Sequence, residues 1–312
     1  MSDCELVEDD KASRIGLTLL SKGSGCMKPT SVFLPTKHAV GSRELNVILW
    51  LHGFYIQSNG YVFRTEATKV RQGVENSGKD FVVIAPFLGE VKADGTGKAA
   101  YQASAFSGTG CQRYLEQILE ALGRWLKTCY GTAAASDLTI KNLVVAGHSG
   151  GGTHMRKAVD ALGDLKSTLR ECWGFDCLYA SGKTWADWAG KQGVHLYFYF
   201  GRGTAPGTGG QPLDFWKEAY GTPKHPKPSR MRNVFLAPAV TGVELDRTAF
   251  QSVEEIKQKA KPGSRYEEIR KEVDPFLDDE TKYWAKIRPN MKGHYETAAD
   301  LLGPRIAQSG IS

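Results

Sequence analysis

Long apolar runs are missing from this chain of 312 residues. No stretch reaches the roughly 18 to 20 consecutive apolar residues that a membrane-spanning helix needs, so a membrane span is not expected. The opening MSDCELVEDDKASR is acidic and polar where an export signal would be basic and then apolar, and the expectation is a cytoplasmic protein. A concentrated basic stripe is missing too. The formal charge is +6, but the Lys and Arg residues are scattered among Asp and Glu. Tracking a phosphate backbone needs clustered positive charge, so nucleic acid is not an expected partner.

Cysteine is scarce: Cys4, Cys26, Cys111, Cys129, Cys172 and Cys177. Their irregular spacing in a large domain fits reduced, mostly buried thiols better than a disulfide framework, with Cys4–Cys26 or Cys172–Cys177 left open as pairs. No CxxC pair or tight Cys/His cluster offers a zinc site, and no metal or organic cofactor is expected. Internal repeats and low-complexity tracts are also absent. With 41% hydrophobic and 24% charged residues, neither a disordered nor a fibrous chain is indicated. One large α/β domain over residues 1–312 is the simplest division.

What is present is a series of short apolar runs. Ile15 to Leu20 and Ser31 to Leu34 read as opening strands at an antiparallel edge. Val47 to Leu51 is continuously apolar, as a strand covered on both faces would be. Similar runs recur at Phe81 to Ala85, Leu143 to Ala146, Cys172 to Leu178, His195 to Phe200 and Val234 to Ala237. Helical periods lie between them, clearest over Gln112 to Lys127, where Leu115, Ile118, Leu119, Leu122 and Leu126 share one face. Alternating strands and helices imply a mostly parallel sheet with ligands gathered at the carboxyl ends of its strands.

Two stretches break the alternation. Residues 201–232 are rich in Gly, Pro and polar side chains, and residues 243–292 are highly charged. Ser252 to Glu255 and Ser264 to Glu267 fit capping boxes, so the second stretch reads as helical. Both are candidate insertions, either a cap over a site or surface decoration.

The sharpest motif is Gly147-His148-Ser149-Gly150-Gly151-Gly152, which follows a buried strand and leads into a helical pattern. A turn this tight tolerates no side chain at Gly147 or Gly151, and it leaves the Ser149 hydroxyl at its tip. The helix that follows points its unbonded N–H groups and positive dipole end at that hydroxyl. A phosphate loop would need a GxxxxGK[ST] lysine, and none is present. Attack on a carbonyl puts negative charge on its oxygen, and one donor there is worth about 2.7–4 kcal/mol of barrier. The N–H of Gly150 is one candidate donor. The other is the N–H of Phe54, in the turn Leu51-His52-Gly53-Phe54 after the first parallel strand.

LHGF, GHSGGG and a late Gly293-His294, in that order, resemble the α/β-hydrolase family of serine esterases and lipases. The resemblance runs from about Ser31 to Leu302 and implies an α/β-hydrolase fold with a Ser-acid-His triad in that chain order. Ser149 and the His52 to Phe54 turn correspond directly. Of seven histidines, His294, in a loop leading into a last helix, resembles the catalytic base, with His225 as its rival. The acid most often follows the strand equivalent to His195 to Phe200, but Gly-Arg-Gly-Thr there carries no carboxylate. Some family members place it one strand earlier, where Asp176 stands; Asp214 and Asp246 are alternatives. A turn-capping role is the plain reading of Asp176.

The expected activity is cleavage of a carboxylic ester in a small acyl substrate. Peptidase, amidase or thioesterase chemistry with the same triad is the alternative, as is a catalytically silent ligand binder. Trp185 to Trp188 and Phe215 to Tyr220 are either pocket lining or core packing. Tyr283, Trp284 and Ile287 are either pocket wall or anchors for the insertion.

Overall fold

A computed structural model describes residues 3–9, 11, 15–64, 68–92, 94–97, 106, 108–131, 137–179, 182–205, 208, 210–212, 215, 233–239 and 291–311. The capping boxes at Ser252 and Ser264, together with Tyr283, Trp284 and Ile287, lie outside the described residues. The chain divides into two compact units, Met1–Arg170 with Ala298–Ser312, and Glu171–Thr297. Among the described residues no helix is long and apolar enough to cross a membrane.

The first unit holds β1 (Glu5–Glu8), β2 (Leu17–Lys22), β3 (Thr30–Leu34), β4 (Glu44–Leu51), β5 (Val82–Pro86) and β6 (Thr139–His148), in sheet order β1-β2-β3-β5-β4-β6. The edge β1-β2-β3-β5 is antiparallel, while β4 runs parallel to both its neighbours. The antiparallel opening is as expected. Strand β4 lies between two parallel partners, and Val47, Ile48, Leu49, Trp50 and Leu51 are all buried, which is why its sequence does not alternate.

The connections carry α1 (Asn59–Arg64), α2 (Val70–Ser77) and α3 (Gly110–Tyr130). All five apolar residues read as the face of α3 are buried, each contributing roughly 1.5–3 kcal/mol relative to exposure. Gly131, left-handed at φ 65, ends α3 by donating its N–H to Lys127 O at 3.0 Å. A 3-10 turn, Gly163–Thr168, follows α4 (Gly151–Asp160).

Of the two cysteine pairs left open by the sequence, one forms, at the sheet edge. Cys4 and Cys26 form a disulfide with Cα atoms 4.6 Å apart, whereas Cys111, Cys129, Cys172 and Cys177 are free thiols. The register explains the pairing: Glu5 lies opposite Lys22, so the residue before β1 and the loop after β2 end side by side.

The second unit is parallel throughout. Strand β7 (Leu169–Phe175), from Glu171 onward, pairs with β8 (His195–Phe200), which pairs with β9 (Val234–Pro238). Its core is aromatic. Trp185 of α5 (Gly182–Gln192) packs edge-on to Trp188 and to Phe198, each with ring centroids 5.4 Å apart, and Phe198 meets Phe215 at the same separation. Trp185, Trp188 and Phe215 are therefore core; 216–220 lie outside the described residues. The buried carboxylate of Glu171 accepts the indole N–H of Trp173 at 2.6 Å.

The last helix, α6 (His294–Gln308), has its first turn in the second unit and the remainder in the first, where Ala298, Leu301, Leu302 and Ile306 are buried. Mixed, mostly parallel sheet strands with connecting helices are the α/β-hydrolase-like architecture that the sequence predicts.

Candidate functional site

In the first unit, the register of β4 against β6 sets Leu51 beside Gly147, so the two strand ends release His52-Gly53 and His148-Ser149 next to each other. Ser149 has φ +56, one of only four left-handed non-glycine residues among those described. Such a conformation costs a side-chain-bearing residue on the order of 1–3 kcal/mol and persists only where the surroundings enforce it. The enforcement is steric. A side chain at Gly151 would stand 2.8 Å from Leu51 C and 2.9 Å from His52 O, and one at Gly53 would stand 2.7 Å from Ser149 Cβ. Glycine at both positions lets the elbow close and leaves Ser149 with 9% of its surface open.

Helix α4 starts at once. Gly152 donates to Ser149 O at 3.1 Å and Thr153 to Gly150 O at 3.3 Å, while the Gly150 N–H has no acceptor among the described residues. The Phe54 ring lies over Gly150, where an added Cβ would be 2.7 Å from ring atom Cε1. Tyr55, exposed and left-handed at φ 68, donates its N–H to Val91 O at 3.1 Å and so anchors the turn.

His52 is architectural. Its Nδ1 donates to Gly53 O at 2.5 Å, and its Nε2 accepts the Leu88 N–H at 2.9 Å. Burial lowers its pKa from 6.5 to about 4; the Gly53 bond opposes the shift and the charge of His154 adds to it. His154, within α4, is lowered to about 4 by burial and by Lys157 and Lys28. Neither ring carries a proton to spare at neutral pH.

In the second unit, Asp176 emerges directly after β7 and is fully buried, with φ +47. Its backbone N–H donates to Tyr199 O at 2.6 Å, which pins it to the end of β8. This left-handed residue ends the strand at Phe175, three residues short of the expected Leu178. The His294 ring, at the start of α6, donates from Nδ1 to Asp176 Oδ2 at 2.7 Å. Gly293 is fixed by Glu296, whose Oε2 accepts its N–H at 2.9 Å, and by Thr297, whose hydroxyl donates to Gly293 O at 2.9 Å. Tyr179 and Tyr295 meet the imidazole edge-on, with centroids at 6.2 and 5.3 Å.

The loop after β8, where the sequence offers no acid, is turned toward Asp176 instead. Gly201 N–H and Thr204 N–H donate to Oδ1 at 2.7 and 2.9 Å, Gly203 N–H donates to Oδ2 at 2.9 Å, and the Thr204 hydroxyl donates to Oδ1. Burial opposes the charge on Asp176, but the bonds from His294 and Thr204, the imidazole charge and the Gly201 N–H outweigh it. Together they hold the carboxyl below the usual carboxylate range. Sequence reasoning missed these donors; the available signal was the pair of glycines, Gly201 and Gly203, with Thr204 at a strand end.

The neighbouring Cys177 is no competing nucleophile, because burial and the charge of Asp176 push its thiol pKa up. Thus Ser149, Gly150 and Phe54 come together in one unit, and Asp176 and His294 in the other. The rivals His225, Asp214 and Asp246 lie outside the described residues.

Residues 21–155 match the family described as "Putative esterase". That stretch is less than half the chain. It contains the His52 to Phe54 turn and the Ser149 elbow, and it ends before Asp176 and His294. No curated relative matches. Among solved structures, an S-formylglutathione hydrolase from Agrobacterium tumefaciens is 14% identical, covering 91% of this chain and 99% of its own, with a TM-score of 0.35. A carboxylesterase CesB from Bacillus subtilis is 12% identical, covering 61% of this chain and 53% of its own, at 0.26. Aspergillus fumigatus lipase B is 11% identical, covering 47% and 28%, at 0.24. The chain thus spans about half the length of the carboxylesterase and about a quarter of the lipase. Likenesses this slight leave the assignment of residues to chemistry.

Proposed function

We propose that this protein is a carboxylic ester hydrolase in which Ser149 forms an acyl-enzyme. The observation that carries the reading is the Ser149 elbow: a strained, left-handed serine at the end of a parallel strand, ringed by obligatory glycines and followed by a helix N-terminus. The "Putative esterase" match over the same residues supports it.

In the proposed reaction His294 Nε2 takes the Ser149 proton as Oγ attacks the ester carbonyl. The N–H groups of Gly150 and Phe54 receive the oxyanion. The imidazolium, held by the Asp176 carboxylate, protonates the leaving alcohol as its C–O bond breaks. Water then attacks the acyl-enzyme, giving its proton to His294, and the acid leaves as Ser149 is reprotonated. The bond between His294 Nδ1 and Asp176 supports the pairing of base and acid, because an ionised carboxylate can only accept and so fixes the proton on Nδ1.

A fluorophosphonate probe should label Ser149 and leave Ser149→Ala unlabelled. The wild type should hydrolyse p-nitrophenyl esters faster than peptide anilides or thioesters. Absence of labelling, or labelling at another residue, defeats the proposal. A preference for anilides or thioesters keeps the nucleophile and overturns the ester assignment.

A further inference from the structure

We infer that Thr204 is a positioning residue, whose hydroxyl and N–H fix the Asp176 carboxylate so that a single oxygen faces His294. The inference rests on the proposed triad and extends it to the loop after β8.

The donors on Asp176 are unequally shared. Oδ1 accepts from Gly201 N–H, Thr204 N–H and the Thr204 hydroxyl, while Oδ2 accepts from Gly203 N–H and His294 Nδ1. Both Asp176 and Thr204 are fully buried, so water offers no substitute partner. Three donors saturate Oδ1 and the Gly203 N–H takes one side of Oδ2, so the one acceptor position left is the one that faces His294. The carboxyl group is thereby kept as an acceptor, and Nδ1 of His294 must be the donor. The tautomer with a free Nε2 lone pair follows, which is the form a general base needs.

Steric fit points the same way. A side chain at Gly203 would stand 2.5 Å from Asp176 Oδ2 and 2.7 Å from the Tyr179 hydroxyl, so the loop is shaped to the carboxylate as closely as a backbone can be. In a loop without an acid of its own, these groups do for Asp176 what backbone nests do for bound anions. Of the five donors, the Thr204 hydroxyl is the one non-histidine side chain, and so the one that substitution can remove without altering the backbone.

The test is a series in the full chain, Thr204→Val, Thr204→Ala and Thr204→Ser, assayed with a p-nitrophenyl ester across pH. Loss of a hydrogen bond to a buried charge should lower kcat about ten- to a hundredfold in the Val and Ala variants, with KM within about twofold. Their acid limb should move to higher pH, because that limb reports protonation of the base, and an Asp176 carboxylate with fewer donors turns more of its charge on the His294 imidazolium. Thr204→Ser should recover most of the loss. The low-field proton signal of the bond between His294 and Asp176 should shift in the Val and Ala variants and return in Ser. If either hydroxyl-free variant folds and keeps the wild-type kcat and acid limb, or if Ser is as impaired as Val, the inference fails. His294→Ala and Asp176→Asn tell the two failures apart. Inactivity in both beside a fully active Thr204→Val overturns the role of Thr204 alone, whereas full activity in both overturns the triad and this inference with it.

Discussion

Acidification should destabilise the first unit well before its carboxylates titrate, through His52 and His154. Both rings are buried and neutral, with pKa values lowered from 6.5 to about 4. The unfolded chain binds protons near pH 6.5 that the folded chain refuses until about pH 4, so stability is intact above the higher value and is lost as the pH falls toward the lower. Between pH 7.5 and 5 the loss is about 2 kcal/mol for each ring and about 4 kcal/mol for the two. The carboxyls of Asp80 and Asp176, lowered from 3.8, contribute only below that window. Urea denaturation at pH 7.5, 6.5, 5.5 and 5.0 reads the effect directly. In His52→Gln, where an amide oxygen can still accept the Leu88 N–H, about half of the pH dependence should vanish. A wild-type unfolding free energy that stays flat from pH 7.5 to 5 would refute the reasoning, as would an equal fall in the variant.

Three other outcomes are expected. Cys4→Ser should lower unfolding stability by about 3 kcal/mol, the loop-closure value for a bridge of this span, measured by urea denaturation against an untreated and a reduced wild type. Ser149→Gly should be more stable than Ser149→Ala by about 1 kcal/mol, since glycine accepts φ +56 and alanine retains the strain; both should be inactive toward esters. Gly203→Ala should cost at least a hundredfold in kcat while retaining the far-ultraviolet circular dichroism of the wild type, because its methyl group lands between Asp176 and His294.

The parts of the fold legible in the sequence are those whose signal is local. Strand β8 appears at the residues read for it, and α3 extends the expected helix by a few residues at each end. Continuous apolar runs betray strands covered on both faces. Strand β1 gives no such signal, since only Leu6 of its four residues is buried. The Cys4–Cys26 bridge depends on the register of β1 against β2, which a spacing count cannot supply. The elbow was legible because steric demand writes itself into the chain as glycine at fixed offsets. The surroundings of Asp176 were not, because they consist of backbone N–H groups, which every non-proline residue carries and no sequence motif distinguishes.

A buried carboxylate at the end of β7 needs partners that its own strand does not supply. Strands β7 and β8 are parallel neighbours with Phe175 in register with Tyr199, so their exits lie side by side. The exit that lacks the acid still has polar backbone to satisfy. Here it does so by turning three N–H groups and one hydroxyl onto the acid that its neighbour supplies. A buried carboxylate without them would face a desolvation cost that a single imidazole bond does not offset. The Asp176 carboxylate therefore depends on the neighbouring loop as its donor, and glycine at positions 201 and 203 lets that backbone come so close.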